Sequence, residues 1–149
     1  MHLVIEGRGG DWHKLQDLLL VYNLLDEYPA RIGMTKIMPP IVTRYVGTNP
    51  QDWGISGFVM IAESHISIHT FPEHREVSID VFSCKEFDAL QTASILKEAF
   101  DLSEAECVVL RRGLEYQRGE PMLPQTLPST NGNGHTTSQP TLLVQTAKA

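Results

Sequence analysis

Apolar positions recur along the chain at two different periods, and the changes of period divide it into elements. Leu3-Val4-Ile5 is a short apolar run that predicts a strand ending at the turn Gly7-Arg8-Gly9-Gly10. Leu15, Leu18, Leu19, Tyr22 and Leu25 then follow at helical spacing. Asp11 is placed to cap that helix, and Pro29 predicts its end near Tyr28. Residues 34–38 and 41–46 read as extended, broken by Pro39-Pro40. After a loop with Asn49, Pro50 and Gly54, residues 57–61 begin a hydrophobic strand.

Two stretches with a period of two come next. His65-Ile66-Ser67-Ile68-His69 alternates polar and apolar residues, and residues 77–84 largely do the same. Pro72-Glu73-His74-Arg75 between them predicts a hairpin connection. A second helix is expected over residues 88–100, with Leu90, Ala93, Leu96 and Phe100 on one stripe, and residues 106–110 close as a strand. Strand, helix, several strands, helix, strand is the order of an α+β fold. The expected architecture is a two-layer sandwich, a mainly antiparallel sheet with helices on one face.

Composition limits the classes. The 149 residues divide at a compositional break. Residues 1–118 read as one folded domain. Residues 119–149 carry Pro121, Pro124, Pro128 and Pro140, the run Asn131-Gly132-Asn133-Gly134 and no aromatic residue, so disorder is expected there. The net charge of −6 and the lack of a Lys/Arg cluster argue against a nucleic-acid partner. Apolar runs are too short for a membrane span, and the start Met1-His2-Leu3-Val4-Ile5-Glu6 does not resemble a secretion signal. Cys84 and Cys107 are too few for a disulfide-built domain. A reducing cytoplasm is the expected location.

Four features could carry chemistry. The Gly-rich turn lacks the spacing of a dinucleotide loop and reads as a plain turn. His65 and His69 lie four apart on a strand, too far to chelate one metal, and no acidic or cysteine cluster completes a set, so no metal is expected. Cys84 is expected to end a strand at the edge of the sheet and reads equally as a small hydrophobe or a reactive thiol, whereas Cys107 reads as the former. Ser64 lies between Glu63 and His65, where two strand patterns meet. Held close to the Glu63 carbonyl, its hydroxyl could attack that carbon, given a proton acceptor and donors for the oxyanion. His65 and His69 offer imidazoles and Ser56 a hydroxyl.

The segment Ala62-Glu63-Ser64-His65-Ile66-Ser67-Ile68-His69-Thr70-Phe71-Pro72-Glu73 resembles the processing segment of the small prokaryotic S-adenosylmethionine decarboxylases, which are pyruvoyl-dependent. Gly54-Ile55-Ser56-Gly57 upstream and Ile79-Asp80-Val81-Phe82-Ser83-Cys84 downstream match in order and approximate spacing. The resemblance implies cleavage between Glu63 and Ser64, giving a β chain and an α chain whose Ser64 becomes a pyruvoyl group. It implies that Ser56 and His69 support processing and that Cys84 protonates the substrate carbon. Glu73 would hold the ribose hydroxyls and Phe71 would stack on adenine. A second aromatic is expected from the region before Gly54, where Tyr45 and Trp53 compete. The resemblance further implies a small-molecule substrate, a role in spermidine synthesis and a homodimer of cleaved αβ protomers.

Two points stay open at this level. Phe71 stands where the family commonly has Trp, and relatives with this fold and self-processing act on arginine or ornithine, so those substrates remain alternatives, as does a non-catalytic regulatory member. An ideal hairpin centred on His74 would set Ser64 opposite Cys84 and place His69 on the other face. A shift or bulge would then be needed for all three to converge.

Overall fold

Residues 1–111 are described by the computed structural model, so residues 112–149, including the expected domain limit at 118 and the tail, lie outside the described part. The chain opens with β1 (His2–Arg8), followed by α1 (Trp12–Leu15) and α2 (Leu18–Arg31). Then come β2 (Thr35–Lys36), β3 (Ile41–Val46), β4 (Trp53–Ala62) and β5 (Ser64–Phe71). A single 3-10 turn at Pro72–His74 leads into β6 (Glu76–Ser83), α3 (Ala89–Ala99) and β7 (Glu104–Leu110). Every strand pairing is antiparallel, in the order β2-β4-β5-β6-β1-β7, with β3 also on β4. The helices cover one face, as an α+β sandwich requires.

Alternation decides which face they cover. Leu3 and Ile5 of β1, Val59 and Ile61 of β4, Ile66 and Ile68 of β5, and Val77, Ile79 and Val81 of β6 point to the helical side and are buried. Val21 and Leu25 of α2, Leu96 of α3 and Phe100 meet them there. Each such side chain contributes on the order of 1.5–3 kcal/mol by leaving water. Gly57 lets α2 approach β4. A Cβ there would lie 2.5 Å from Leu25 Cδ1 and 2.9 Å from Val21 Cγ1.

The helical region differs from expectation. Asp11 caps only the one-turn α1, through Lys14 N–H at 2.9 Å. Asp17 then breaks the pattern, because its carboxylate accepts from Leu19 N–H at 2.9 Å and Leu20 N–H at 3.0 Å and so starts α2 afresh. Pro29 does not stop the helix. It is buried inside the last turn of α2, which ends instead at Arg31, with the chain turning away at Gly33, where φ is +72°.

The β5–β6 hairpin is one residue tighter than the ideal centred on His74. Pro72 to Arg75 make a four-residue connection, with Arg75 at φ +56°, and Phe71 pairs with Glu76. Ser64 therefore faces Ser83 and not Cys84.

Candidate active site

Ser64 begins β5 directly after the two-residue turn of Ala62 and Glu63. Its ladder partners are Ile61 on β4 and Ser83 on β6. Its φ is +149°, in a region that L side chains rarely occupy and that persists only where neighbours over-determine it. Cys84 lies just beyond the end of β6, which runs inside the sheet between β5 and β1, so it marks an end and not an edge. Its thiol is exposed, and Sγ stands 3.8 Å from Ser64 Oγ. The backbone N–H of Cys84 donates to the Glu63 carbonyl oxygen at 3.4 Å. The Glu63 carbonyl, the Ser64 hydroxyl and the Cys84 thiol thus share one corner.

Ser83 builds that corner, and the sequence did not single it out. Fully buried, its hydroxyl accepts from Lys85 N–H at 2.9 Å and donates to Met34 Sδ at 3.3 Å. The first bond fixes the turn that carries Cys84.

His69 and Ser56 form a second group. They are register partners on β5 and β4, and Ser56 Oγ lies 3.0 Å from His69 Nδ1. Both stand on the face opposite the helices, in one row with Thr43 of β3 and Ser78 of β6. Ser64 and His69 are five positions apart, so at about 3.3 Å per residue the two groups are roughly 16 Å apart along β5. No register shift within one chain closes that gap.

The remaining residues join the His69 end. Phe71 and Tyr45 are exposed there, Tyr45 opposite Gly54. Glu73 accepts a hydrogen bond from the indole N–H of Trp53 at 3.1 Å, and the Arg44 guanidinium lies 4.2 Å from the Trp53 ring centroid. His65 sits between, stacked on Phe58 and edge-on to Phe82. Among the described residues no group of three or more His, Cys, Asp or Glu could hold a metal ion. Burial pushes the Cys107 thiol up to about 11, in keeping with a packing role for that residue.

A family model described as S-adenosylmethionine decarboxylase matches residues 1–113, which include every site residue named above. The chain belongs to the S-adenosylmethionine decarboxylase family. A relative from Thermodesulfovibrio yellowstonii, an S-adenosylmethionine decarboxylase proenzyme, is 36% identical over 120 residues, covering 80% of this chain and 84% of its own. Another of that name, from Anoxybacillus flavithermus, is 34% identical over 113 residues, 76% of this chain and 86% of its own. The crystal structure of the adenosylmethionine decarboxylase from Aquifex aeolicus is similar at TM-score 0.65 and 26% identity, covering 80% of this chain and 95% of that one. Family membership therefore spans the sheet, the helices and both ends of β5.

Proposed function

We propose that this chain is a self-processing decarboxylase of S-adenosylmethionine, which supplies the aminopropyl donor for spermidine. The observation that carries the reading is the corner where Ser64 Oγ, the Glu63 carbonyl and Cys84 meet, within a chain of this family. Ser64 Oγ attacks the Glu63 carbonyl carbon, and the Cys84 N–H donates to the oxygen as negative charge develops on it. The Glu63–Ser64 C–N bond breaks and the freed nitrogen takes the hydroxyl proton, leaving an ester. Loss of the Ser64 α-proton then expels Glu63 as a carboxylate. Water replaces the nitrogen, which leaves as ammonia, and a pyruvoyl group caps the α chain.

Ser64 suits that product, because it is partly exposed and in contact with the Cys84 thiol. The pyruvoyl carbonyl supplies the electron sink for loss of CO2. Cys84 delivers the proton that replaces CO2 on the substrate carbon. Glu73 accepts hydrogen bonds from the ribose hydroxyls, and Phe71 and Tyr45 flank the adenine. His69, with Ser56 on Nδ1, moves protons during processing.

The separation of about 16 Å between the two groups supports a homodimer of cleaved αβ protomers. The uncovered sheet face carries Ile41, Tyr45, Phe58 and Met60, all large apolar residues left exposed. A two-fold axis lying between two facing sheets and running across the strands brings the partner's His69 to Ser64, and reciprocally. Each site then takes its Ser64 and Cys84 from one chain and its His69, Ser56 and Glu73 from the other. The enzyme is proposed to act in the cytoplasm. Among the described residues no helix is long and apolar enough to cross a membrane.

Intact mass and CO2 release test the reading together. Two fragments breaking at Glu63–Ser64, with turnover of labelled S-adenosylmethionine, are expected. An uncleaved chain after prolonged incubation overturns the processing step. Cleavage with turnover of arginine or ornithine alone overturns only the substrate.

A further inference from the structure

Trp53 and Glu73 lie twenty residues apart in sequence, and three local features bring them together. The β4–β5 ladder ends at the pair Ser56 and His69. Just beyond it, the Ile55 N–H donates to the Thr70 hydroxyl, buried at 2% exposure, at 2.9 Å. Gly54 makes the strands' approach possible, since a Cβ there would lie 1.8 Å from the Thr70 carbonyl oxygen. Any larger residue would push the start of β4 away from the end of β5. Trp53 is thereby delivered to the turn that holds Glu73, and its N–H donates to Oε1 at 3.1 Å. Arg44, which pairs with Ile55 from β3, sets its guanidinium 4.2 Å from the indole centroid and limits rotation of the ring.

We propose that Trp53 is a positioning residue for Glu73, committed to holding the carboxylate and not to stacking on the substrate. The inference rests on reading Glu73 as the acceptor for the vicinal hydroxyls of a ribonucleoside substrate. A carboxylate has two oxygens. A donor on Oε1 restricts the group's rotation and leaves Oε2 as the acceptor that the diol requires. The ordering is done before substrate arrives, so its effect is on binding. Tyr45, exposed on the open face, is then the aromatic from this region that remains for the adenine.

The test is steady-state kinetics with S-adenosylmethionine on the full chain, comparing wild type, Trp53→Phe, Glu73→Gln and the double variant. Phe keeps an aromatic ring beneath Arg44 while removing the N–H donor and part of the indole's area. Trp53→Phe is expected to raise KM roughly 5- to 10-fold, as one positioned hydrogen bond would, with kcat within about twofold. Added to Glu73→Gln, it should raise KM by less than about twofold, because the contact is already lost. An unchanged KM in Trp53→Phe overturns the inference. So does an equal increase in both backgrounds, which would mean that the ring acts on substrate directly. If wild type cleaves itself but does not turn over S-adenosylmethionine, the substrate reading fails and this inference fails with it. If wild type turns it over and Trp53→Phe matches wild type, only this inference fails.

Discussion

Ser64 Oγ and Cys84 Sγ stand 3.8 Å apart although the ladder pairs Ser64 with Ser83. The contact is made where both strands stop being regular. Ser64 has left ordinary extended geometry at φ +149°, and Cys84 has passed the last residue of β6. Side chains that strict alternation would send to opposite faces meet because alternation has ended.

That contact separates two roles. Ser64→Ala should abolish cleavage, leaving one chain of unchanged mass by mass spectrometry. Cys84→Ala retains the backbone N–H that reaches Glu63 and should largely spare cleavage, while turnover falls roughly 100-fold, as for loss of a proton donor. Full turnover in Cys84→Ala would remove the thiol from the mechanism.

The proposed sharing of sites between protomers predicts complementation between two defective chains. Ser64→Ala and His69→Ala, each uncleaved when expressed alone, should give cleaved product when co-expressed. A mixed dimer joins an intact Ser64 to the partner's His69 in one of its two sites. A mixture that forms dimers by light scattering yet remains uncleaved would place processing within one chain.

The Gly54–Thr70 approach predicts a stability cost. In an uncleavable Ser64→Ala background, Gly54→Ala should lose about 3 kcal/mol in urea unfolding, since a rigid backbone oxygen must move. Asp17→Ala in the same background should lose about 1 kcal/mol, the worth of the α2 cap.

Cys107 predicts both reactivity and pH dependence. With its thiol held at about 11, against an ordinary value of 9.0, iodoacetamide at mildly alkaline pH should label Cys84 and spare Cys107. The folded state holds that proton more tightly than the unfolded state. The stability it contributes is therefore complete below the unfolded value and lost as pH rises through the folded one. Urea midpoints should fall between those limits, and Cys107→Ala should flatten the decline. An equal decline in both proteins would assign the loss to other groups.

Several elements were legible before any coordinates. Residues 41–46 form β3 as expected, and Asp88 to Phe100 frame α3 as its caps, because period and capping are local properties of the chain. Misread were the break at Asp17 and the run through Pro29, where side-chain capping and burial outweighed the apolar spacing. The family was legible too, because the segment around Ser64 carries a few constrained residue types in one order.

By itself the sequence determined most of the elements, the α+β layering, the family and which side chains are of the right chemical kind. Tertiary structure decided where those side chains stand. A one-residue change in a turn shifts an entire ladder, and about 3.3 Å per residue makes five residues an unbridgeable gap within a strand. The Trp53–Glu73 bond and the contact of the buried Ser83 hydroxyl with Met34 likewise join parts of the chain remote in sequence, and no local pattern encodes them. Only the packed sheet could put Ser64 beside Cys84 and leave His69 at the far end of the same strand.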